Sequence, residues 1–574
     1  MKISCDVNKW IVTRLYVGFD TISPMNNISS KTRAFTSAYR SSLKKNGTCT
    51  IDQFVDLYKQ MGPSLHKHAS TEQIDIEVFM YAFLRLPRVI HEAQEIVMAQ
   101  IAESFDREGF AIDMWEEVQA PARRRKMYFD GEKTLAVYIN SVTDLDDMVG
   151  LLTSFSIEWN KIHERLRSYS GKFDQSKKRE IQRLLGIDDD NWRRLIRIWD
   201  TDTMMRLERI QSKKLHFSLT LLRGHYVDYK KAAQRWFEYI LENTQHKNLR
   251  DRPIYFTSSN THSIVNNLTG WVSKVEPELI SFLKEHKMEQ FLAYWQQIEK
   301  GEHDGSRENF LWYILKKYEV DHPEVRKQRE AYEQSLGIDF IEAKYYLDIN
   351  AQVIPLKAIQ YAGLAGKLGR DLSSLESSDA LILNIDYPLG SGAYMVLSTI
   401  LQNVNDPQGV YILGKASFLK GNLGDIGLPT QVFDTYTNNT YHLENAFTKD
   451  YFADFKTGAI VDNQKVVSTK GTLLHPDGVI RQFFKEGYSI IEMEDGPYLN
   501  ALYETTHFDR YPEETKTSIS GDPIDIGIIH YASDTPYTKA ITLGTRNLGY
   551  EGVEATYVSS LAILRRIVEH ATRV

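Results

Sequence analysis

Cysteine is nearly missing from this chain: Cys5 and Cys49 are the two among 574 residues. Two thiols make no disulfide scaffold at that length, and without a C-x-x-C spacing they suggest no zinc site. A reducing, cytoplasmic setting is expected. Long apolar runs are missing as well. No stretch approaches the roughly 18 apolar residues that a spanning helix needs. The opening segment MKISCDVNKWIVTRLYVGFD has no uninterrupted apolar core after its basic residue. Neither export nor membrane insertion is expected. Positive charge is in slight deficit: 69 Lys and Arg stand against 76 Asp and Glu, a formal net charge of -7. That balance does not draw the whole chain to a polyanion, so nucleic acid is not the expected partner.

What is present is an ordinary globular composition, 42% hydrophobic and 25% charged, in a chain long enough to need more than one core. From the start to about Phe340 the pattern predicts mainly helices. Asp188, Asp189 and Asp190 precede Trp192, Leu195, Ile196 and Trp199, which puts acids at a helix N-terminus and apolar residues on one face. The aromatic-rich stretches Phe217 to Arg223 and Tyr229 to Leu241 read the same way. After about Asp379 the pattern turns to short apolar runs between glycine turns: Ala380 to Ile385, Val410 to Leu413, Gly458 to Val461, Ser489 to Met493 and Ile524 to His530. Tyr557, Leu561, Leu564 and Val568 then mark a closing helix.

The fold class expected is therefore an α/β C-terminal domain, a mixed sheet covered by helices, over residues 341–574. It follows a mainly α-helical N-terminal region, residues 1–340. Pro253 to Ser258 (PIYFTS) breaks the division. It reads as a strand entering the hydroxyl-rich turn Ser259, Asn260, Thr261, His262 and a helix, so residues 253–270 are a candidate strand and loop for the second domain. Such a turn either presents N–H groups to a phosphate or simply caps the helix. Val353 to Arg370 reads as a helix.

Four stretches carry the chemistry. NIDYPLGSGAYMVL, Asn384 to Leu397, is a strand, a glycine turn and a helix. VYILGKASFLKGNLGDIGLP, Val410 to Pro429, holds Gly414, Gly424 and Asp425. GAIVDNQKVVSTKGT, Gly458 to Thr472, is a strand and loop. YSIIEMEDGPYLNALYE, Tyr488 to Glu504, is followed by DIGIIHYASDTP, Asp525 to Pro536.

In order and spacing these segments resemble the nucleoside phosphorylase and nucleosidase superfamily, the purine nucleoside phosphorylase-like enzymes. The resemblance implies an enzyme that cleaves the N-glycosidic bond of a purine nucleoside or nucleotide. It also implies a homo-oligomer and no cofactor or metal. It places Glu494 and Met493 at the sugar and Asp534 with Ser533 at the base, with Glu492 a reserve candidate for activating water or binding a hydroxyl. Gly390, Gly414, Lys415 and Ser417 fall near the sugar and the attacking group, and Lys465 in the strand that covers the base. The added N-terminal region has no counterpart in a minimal family member.

The chemistry asks for these residue types. A departing base leaves an oxocarbenium-like sugar, so a site needs negative charge near the ring, acceptors for its hydroxyls and a proton for the base. Glu494 answers the first two needs and Asp534 the third, with Ser533 orienting it. Met493 offers a soft contact to the sugar. An acid at a strand end alone is as readily a helix cap. The turn at Gly414 lacks the arginine that holds phosphate in phosphorylases, which favours water as nucleophile, with inorganic phosphate as the alternative co-substrate. Lys415 either binds a phosphate or points to solvent. A non-catalytic nucleotide sensor is the third reading.

Other signals have plain explanations. His91 and Glu92 open like a zinc-protease motif, but Glu95 stands where its second histidine belongs. Arg123, Arg124, Arg125 and Lys126 read as a solvated face. Asp144, Asp146 and Asp147 read as complements of a helix N-terminus. His66 and His68 are expected at the surface.

Overall fold

Strand-forming segments collect in two places along the chain and build two sheets. The computed structural model describes residues 22–199, 202–222, 225–286, 288–302, 305–343, 347–361, 365–368, 371–455, 457–507, 516–519, 523–535 and 552–573. The first sheet has six strands in the order β1-β6-β2-β5-β4-β3. They are β1 (Thr48–Thr50), β2 (Glu95–Ala99), β3 (Glu116–Ala120), β4 (Arg123–Phe129), β5 (Thr134–Tyr138) and β6 (Ser218–Leu221). A six-stranded sheet thus stands where the sequence predicts mainly helix. β2 and β5 are short and almost wholly buried, so their residues do not alternate, and a short apolar run reads equally as buried strand or buried helix. The stretch read as helical from Phe217 contains β6, which pairs parallel to β2 and antiparallel to β1.

Against this sheet lies the helix Val142–Leu166, capped by Ser141, whose Oγ accepts the Asp144 N–H at 3.2 Å. It buries Leu145, Met148, Leu152, Phe155 and Ile162, with Phe155 stacked on Phe79 at 5.2 Å. His66 is 1% exposed rather than a surface residue, because its Nε2 meets Glu158 Oε1 at 2.8 Å inside this core. Cys49 is free and buried.

The second sheet has eleven strands. They are β7 (Pro253–Ser259), β8 (Asp339–Ile341), β9 (Ala351–Pro355), β10 (Leu381–Asp386), β11 (Asp406–Phe418) and β12 (Ile426–Asp434). The rest are β13 (Thr440–His442), β14 (Ile460–Ser468), β15 (Ile490–Glu492), β16 (Lys516–Ser518) and β17 (Asp525–Asp534). β7 lies between β10 and β11, parallel to both. The large sheet therefore starts at Pro253, ahead of Phe340. Between β7 and β8, the helices Glu276–Glu285, Glu289–Glu299, Arg307–Asp321 and Pro323–Ser335 pack around Phe282, Phe310 and Trp312. Part of the stretch read as helical from Val353 is instead β9 and the turn into the helix Leu356–Tyr361.

Both faces of the central strands are covered, which is why β10 is buried along its whole length and lacks polar alternation. Ile254, Phe256, Leu383 and Ile412 face the helices Ser391–Asn403 and Asp495–Thr506. Tyr255, Ile382, Tyr411 and Leu413 face the closing helix Val553–Ala571. Among the described residues no helix is long and apolar enough to cross a membrane.

The two sheets are tied by the segment after β14. Leu473 and Leu474 join the core of the N-terminal region. His475 accepts the Ser64 N–H on its backbone oxygen at 2.9 Å, and its Nδ1 lies 2.7 Å from Ser64 Oγ. Leu564, fully buried in the core under the closing helix, reports on the large sheet. Leu564→Ala is expected to destabilise the protein by about 2–5 kcal/mol in chemical denaturation; a change near zero would contradict that packing.

Candidate functional site

β7, β10, β11 and β17 run parallel, so their carboxyl ends share one edge of the sheet. A crevice beyond such ends is the usual place for a ligand in an open α/β sheet. Here it is a cleft of about 290 Å³ lined by Gly414, Lys415 and Ser417 of β11, Glu492, Met493 and Glu494 after β15, and Ser533 and Asp534 of β17. Eight residues selected from sequence, on three separate segments, thus share one cavity. Gly390 stands at its edge and donates its N–H to Glu494 Oε1 at 2.9 Å. Its φ of 53° favours glycine, and a Cβ there would come within 2.5 Å of Thr143 Cγ2. Lys465 is not part of the cleft. Its Nζ reaches the Glu486 carbonyl at 3.4 Å and lies over the Tyr488 ring. A second cavity of about 390 Å³, lined by Arg40, Tyr229, Tyr436 and Lys470 among others, holds none of the residues selected from sequence.

The carboxylates beside β15 divide by environment. Glu492 serves the start of the helix Asp495–Thr506: it accepts the N–H groups of Glu494 and Asp495, the latter at 2.8 Å, and the Ser468 hydroxyl. Burial, and then the charges of Asp495 and Glu494, push it well above the carboxylate range. Glu494 faces the cleft. Burial raises it to about 7, against the pull of the Gly390 N–H. Asp495 is fully buried, with Oδ2 2.7 Å from His530 Nε2. Burial alone would lower His530, but Asp495 outweighs it and favours the imidazolium. Glu492, Asp495 and His530 offer metal-ligand atoms within 4.8 Å of one another. Glu492 is bonded to the helix terminus and to Ser468, and Asp495 Oδ2 to His530, while Asp495 Oδ1 has no hydrogen-bond partner.

At β17, Ser533 Oγ donates to Asp534 Oδ2 at 3.1 Å, an orienting contact. Met493 is 8% exposed, and Thr472 Oγ1 lies 3.9 Å from its sulfur. The end of β7 brings no carboxylate. Thr257 and Ser259 donate to Asn384 Oδ1 at 2.8 and 2.7 Å. Asn260 Oδ1 accepts the N–H groups of His262 and Ser263 at 3.0 and 2.6 Å. The hydroxyls of Ser259 and Thr261 are thus spent on Asn260, Asn384 and Asp386, and Asn260 meets the N–H groups at the start of the helix Ser263–Thr269.

The remaining wall comes from the N-terminal region: Tyr81, Arg85, Arg123, Arg125, Asp144 and Asp147. Arg123 and Arg125 of the basic run do not lie on a solvated face. The Arg123 and Arg125 side chains are 6% and 9% exposed. Arg123 Nη1 donates to Asp147 at 2.8 Å, and Arg125 Nη1 to the Asp348 carbonyl at 2.8 Å. Asp144 does complement the helix start, accepting the Asn140 N–H at 2.7 Å. Asp146 instead pairs with Tyr39 and Arg40. Arg85 and Tyr81 carried no signal in sequence. His475 also lines the cleft, and burial lowers it to about 4.

Fold and cleft define an α/β protein with a mixed sheet and a ligand-sized crevice at its carboxyl edge. Residues 51–569 match the sequence profile of DUF6909, a family of unknown function, and the chain belongs to that family. No curated protein matches it. Among solved structures it is similar to the 5'-methylthioadenosine/S-adenosylhomocysteine nucleosidase of Campylobacter jejuni, with 10% identity, a TM-score of 0.28, and 41% of this chain and 92% of that one covered. For uridine phosphorylase of Vibrio fischeri the figures are 8%, 0.29, 40% and 83%. For a methylthioadenosine phosphorylase from an Antarctic soil metagenomic library they are 11%, 0.26, 41% and 80%. With TM-scores this low, the likeness assigns no activity to this chain.

The Glu494 carboxyl offers a direct check on the cleft. Its folded-state value of about 7 lies above the ordinary 4.5, so the folded protein holds this proton more tightly than the unfolded chain. The stability it contributes is full below the ordinary value and is lost as pH rises through about 7. Glu494→Gln is therefore expected to lose less stability than the parent across that interval, measured by urea denaturation at a series of pH values. Parallel pH profiles would mean that Glu494 titrates as an exposed carboxylate.

Proposed function

We propose that the protein cleaves the N-glycosidic bond of a purine nucleoside or nucleotide with water as nucleophile. One observation carries the reading: Glu494 and Asp534, at the ends of different strands, line the same cleft of about 290 Å³, with Met493 and Ser533 beside them. Glu494 accepts hydrogen bonds from the ribose hydroxyls and its charge stabilises the oxocarbenium-like sugar. Asp534, held by Ser533, delivers the proton to the departing base. The Gly390 N–H fixes Glu494 in place. A second reading, phosphorolysis, is favoured by the arginines of the opposite wall, a phosphate-binding chemistry that the turn at Gly414 lacks.

Incubation with adenosine, inosine, guanosine and their monophosphates, with and without inorganic phosphate, separates the two by the mass of the sugar product. Free ribose or ribose 5-phosphate without added phosphate is expected. Ribose 1-phosphate formed only with phosphate would establish phosphorolysis, and binding without any release of base would leave a nucleotide sensor. Glu494→Gln should slow cleavage by about 100- to 1,000-fold. The parent's rate should rise with pH through about 7, as Glu494 ionises. Unchanged turnover in the variant removes Glu494 from the mechanism.

Asp534→Asn should depress cleavage of purine substrates and spare a nitrophenyl riboside, whose leaving group needs no proton. Equal loss on both substrates makes Asp534 a structural residue.

A further inference from the structure

We infer that Arg85 and Arg123, brought to the cleft by the N-terminal region, form a subsite for a phosphoryl group, with Lys415 and Ser417 at its rim. Both arginines line the cavity. The Arg85 guanidinium lies 3.6 Å from the centroid of the Tyr81 ring, and Nη1 donates to the Tyr81 carbonyl at 3.2 Å. Among the described residues it has no carboxylate within ion-pair distance. Arg123 spends Nη1 on Asp147, while its buried Nε and Nη2 have no hydrogen-bond partner. Nη2 forms an ion pair with Asp144 Oδ1 at 3.5 Å that leaves both atoms without a hydrogen bond. Arg125 pairs with Asp144 and Asp348 in the same way, at 3.4 and 3.7 Å, but donates Nη1 to the Asp348 carbonyl and has no orphaned buried nitrogen.

A guanidinium withdrawn from water is costly unless its five donors are met. Arg123 on β4 is such a group, with two donors to spare, and the half-buried Arg85 at the end of the helix Ile76–Arg85 faces the same cavity, so that together they fit an anion with several oxygens. A phosphoryl group presents three, and the planar fork of arginine matches two of them at once. Stacking on Tyr81 holds the Arg85 plane in position without neutralising it. Asp144 and Asp147 orient the Arg123 side of the wall, so the donors are set before the ligand arrives.

The nucleoside part of this ligand rests on the function proposed above, and the phosphoryl part rests on the arginines alone. The phosphoryl group is either the 5'-phosphate of a nucleotide or free phosphate bound beside a nucleoside. Calorimetric titration of the full chain with adenosine 5'-monophosphate, adenosine and inorganic phosphate separates the two. The 5'-phosphate predicts that the monophosphate binds about 10- to 100-fold more tightly than adenosine, with inorganic phosphate competing against it. Free phosphate predicts that inorganic phosphate binds together with adenosine and tightens it. In either case Arg85→Gln brings the phosphate-dependent gain close to onefold, and Arg85→Lys restores part of it. Phosphate binding that depends on Arg85, without any binding of adenosine, keeps the subsite and removes the nucleoside reading. A monophosphate no tighter than adenosine, with no phosphate binding to the parent protein, overturns the subsite. These parent titrations decide the matter even if the Arg85 variants do not fold.

Discussion

The geometry of the cleft depends on the contact between the start of the helix Val142–Leu166 and the turn at Gly390. Thr143 Oγ1, in the first turn of the helix Val142–Leu166, accepts the Ser391 N–H at 3.0 Å and lies 2.6 Å from the Tyr436 hydroxyl. It thereby holds the turn at Gly390, whose own N–H meets Glu494. The contact spans the two sheets of the molecule. The Ser141 hydroxyl adds a second tie, donating to the Leu389 carbonyl at 3.3 Å, so the turn and the donor that opposes the burial of Glu494 are held from the start of this helix. Gly390 allows the approach because a Cβ would strike Thr143. The docked segment Leu473–His475 completes the closure by lending two leucines to the core on the other side.

Around that point the electrostatics are arranged by burial more than by pairing. Glu492, Glu494 and Asp495 follow one another within four positions, and three carboxylates so close cannot all be ionised at low cost. Glu492 sits behind the start of the helix Asp495–Thr506, where two N–H groups and a hydroxyl meet it. His530 takes Asp495. What remains is Glu494, held near 7 and facing the cavity. The helix terminus and the histidine absorb the charge that would otherwise crowd it.

The legible parts of the fold were those in which local pattern and final environment agree. β10, β11, β15, β17 and the closing helix follow apolar runs with clear ends, and the helices Asp189–Trp199 and His225–Asn243 follow acids or aromatics at helical spacing. β2 and β5 were missed because strands buried on both faces show no alternation, and β6 because four residues give too short a window. The cleft residues of β11, β15 and β17 were legible through the order of their motifs. The basic run at Arg123 was misread because nothing local distinguishes a solvated arginine from one folded inward against aspartates that lie 20 or so positions along the chain. Lys465 was misplaced because residues at odd and even positions of β14 face opposite ways, and motif order does not fix the face.

Placing the cationic wall in the N-terminal region has a structural consequence. Guanidinium groups inside the large sheet would have stood beside Glu492, Glu494 and Asp495, where each would pair with a carboxylate. Here the arginines bring their own counter-charges, Asp144 and Asp147, on the helix that also carries Thr143. One element therefore positions Gly390, orients Arg123 and packs against Leu473, so the acidic and basic walls of the cleft are set by the same docking. Glu494 and Asp534 belong to the wall built on the large sheet. With the N-terminal region seated on it, those carboxylates face cations across a cavity of about 290 Å³, and the low-dielectric walls strengthen every charge within it.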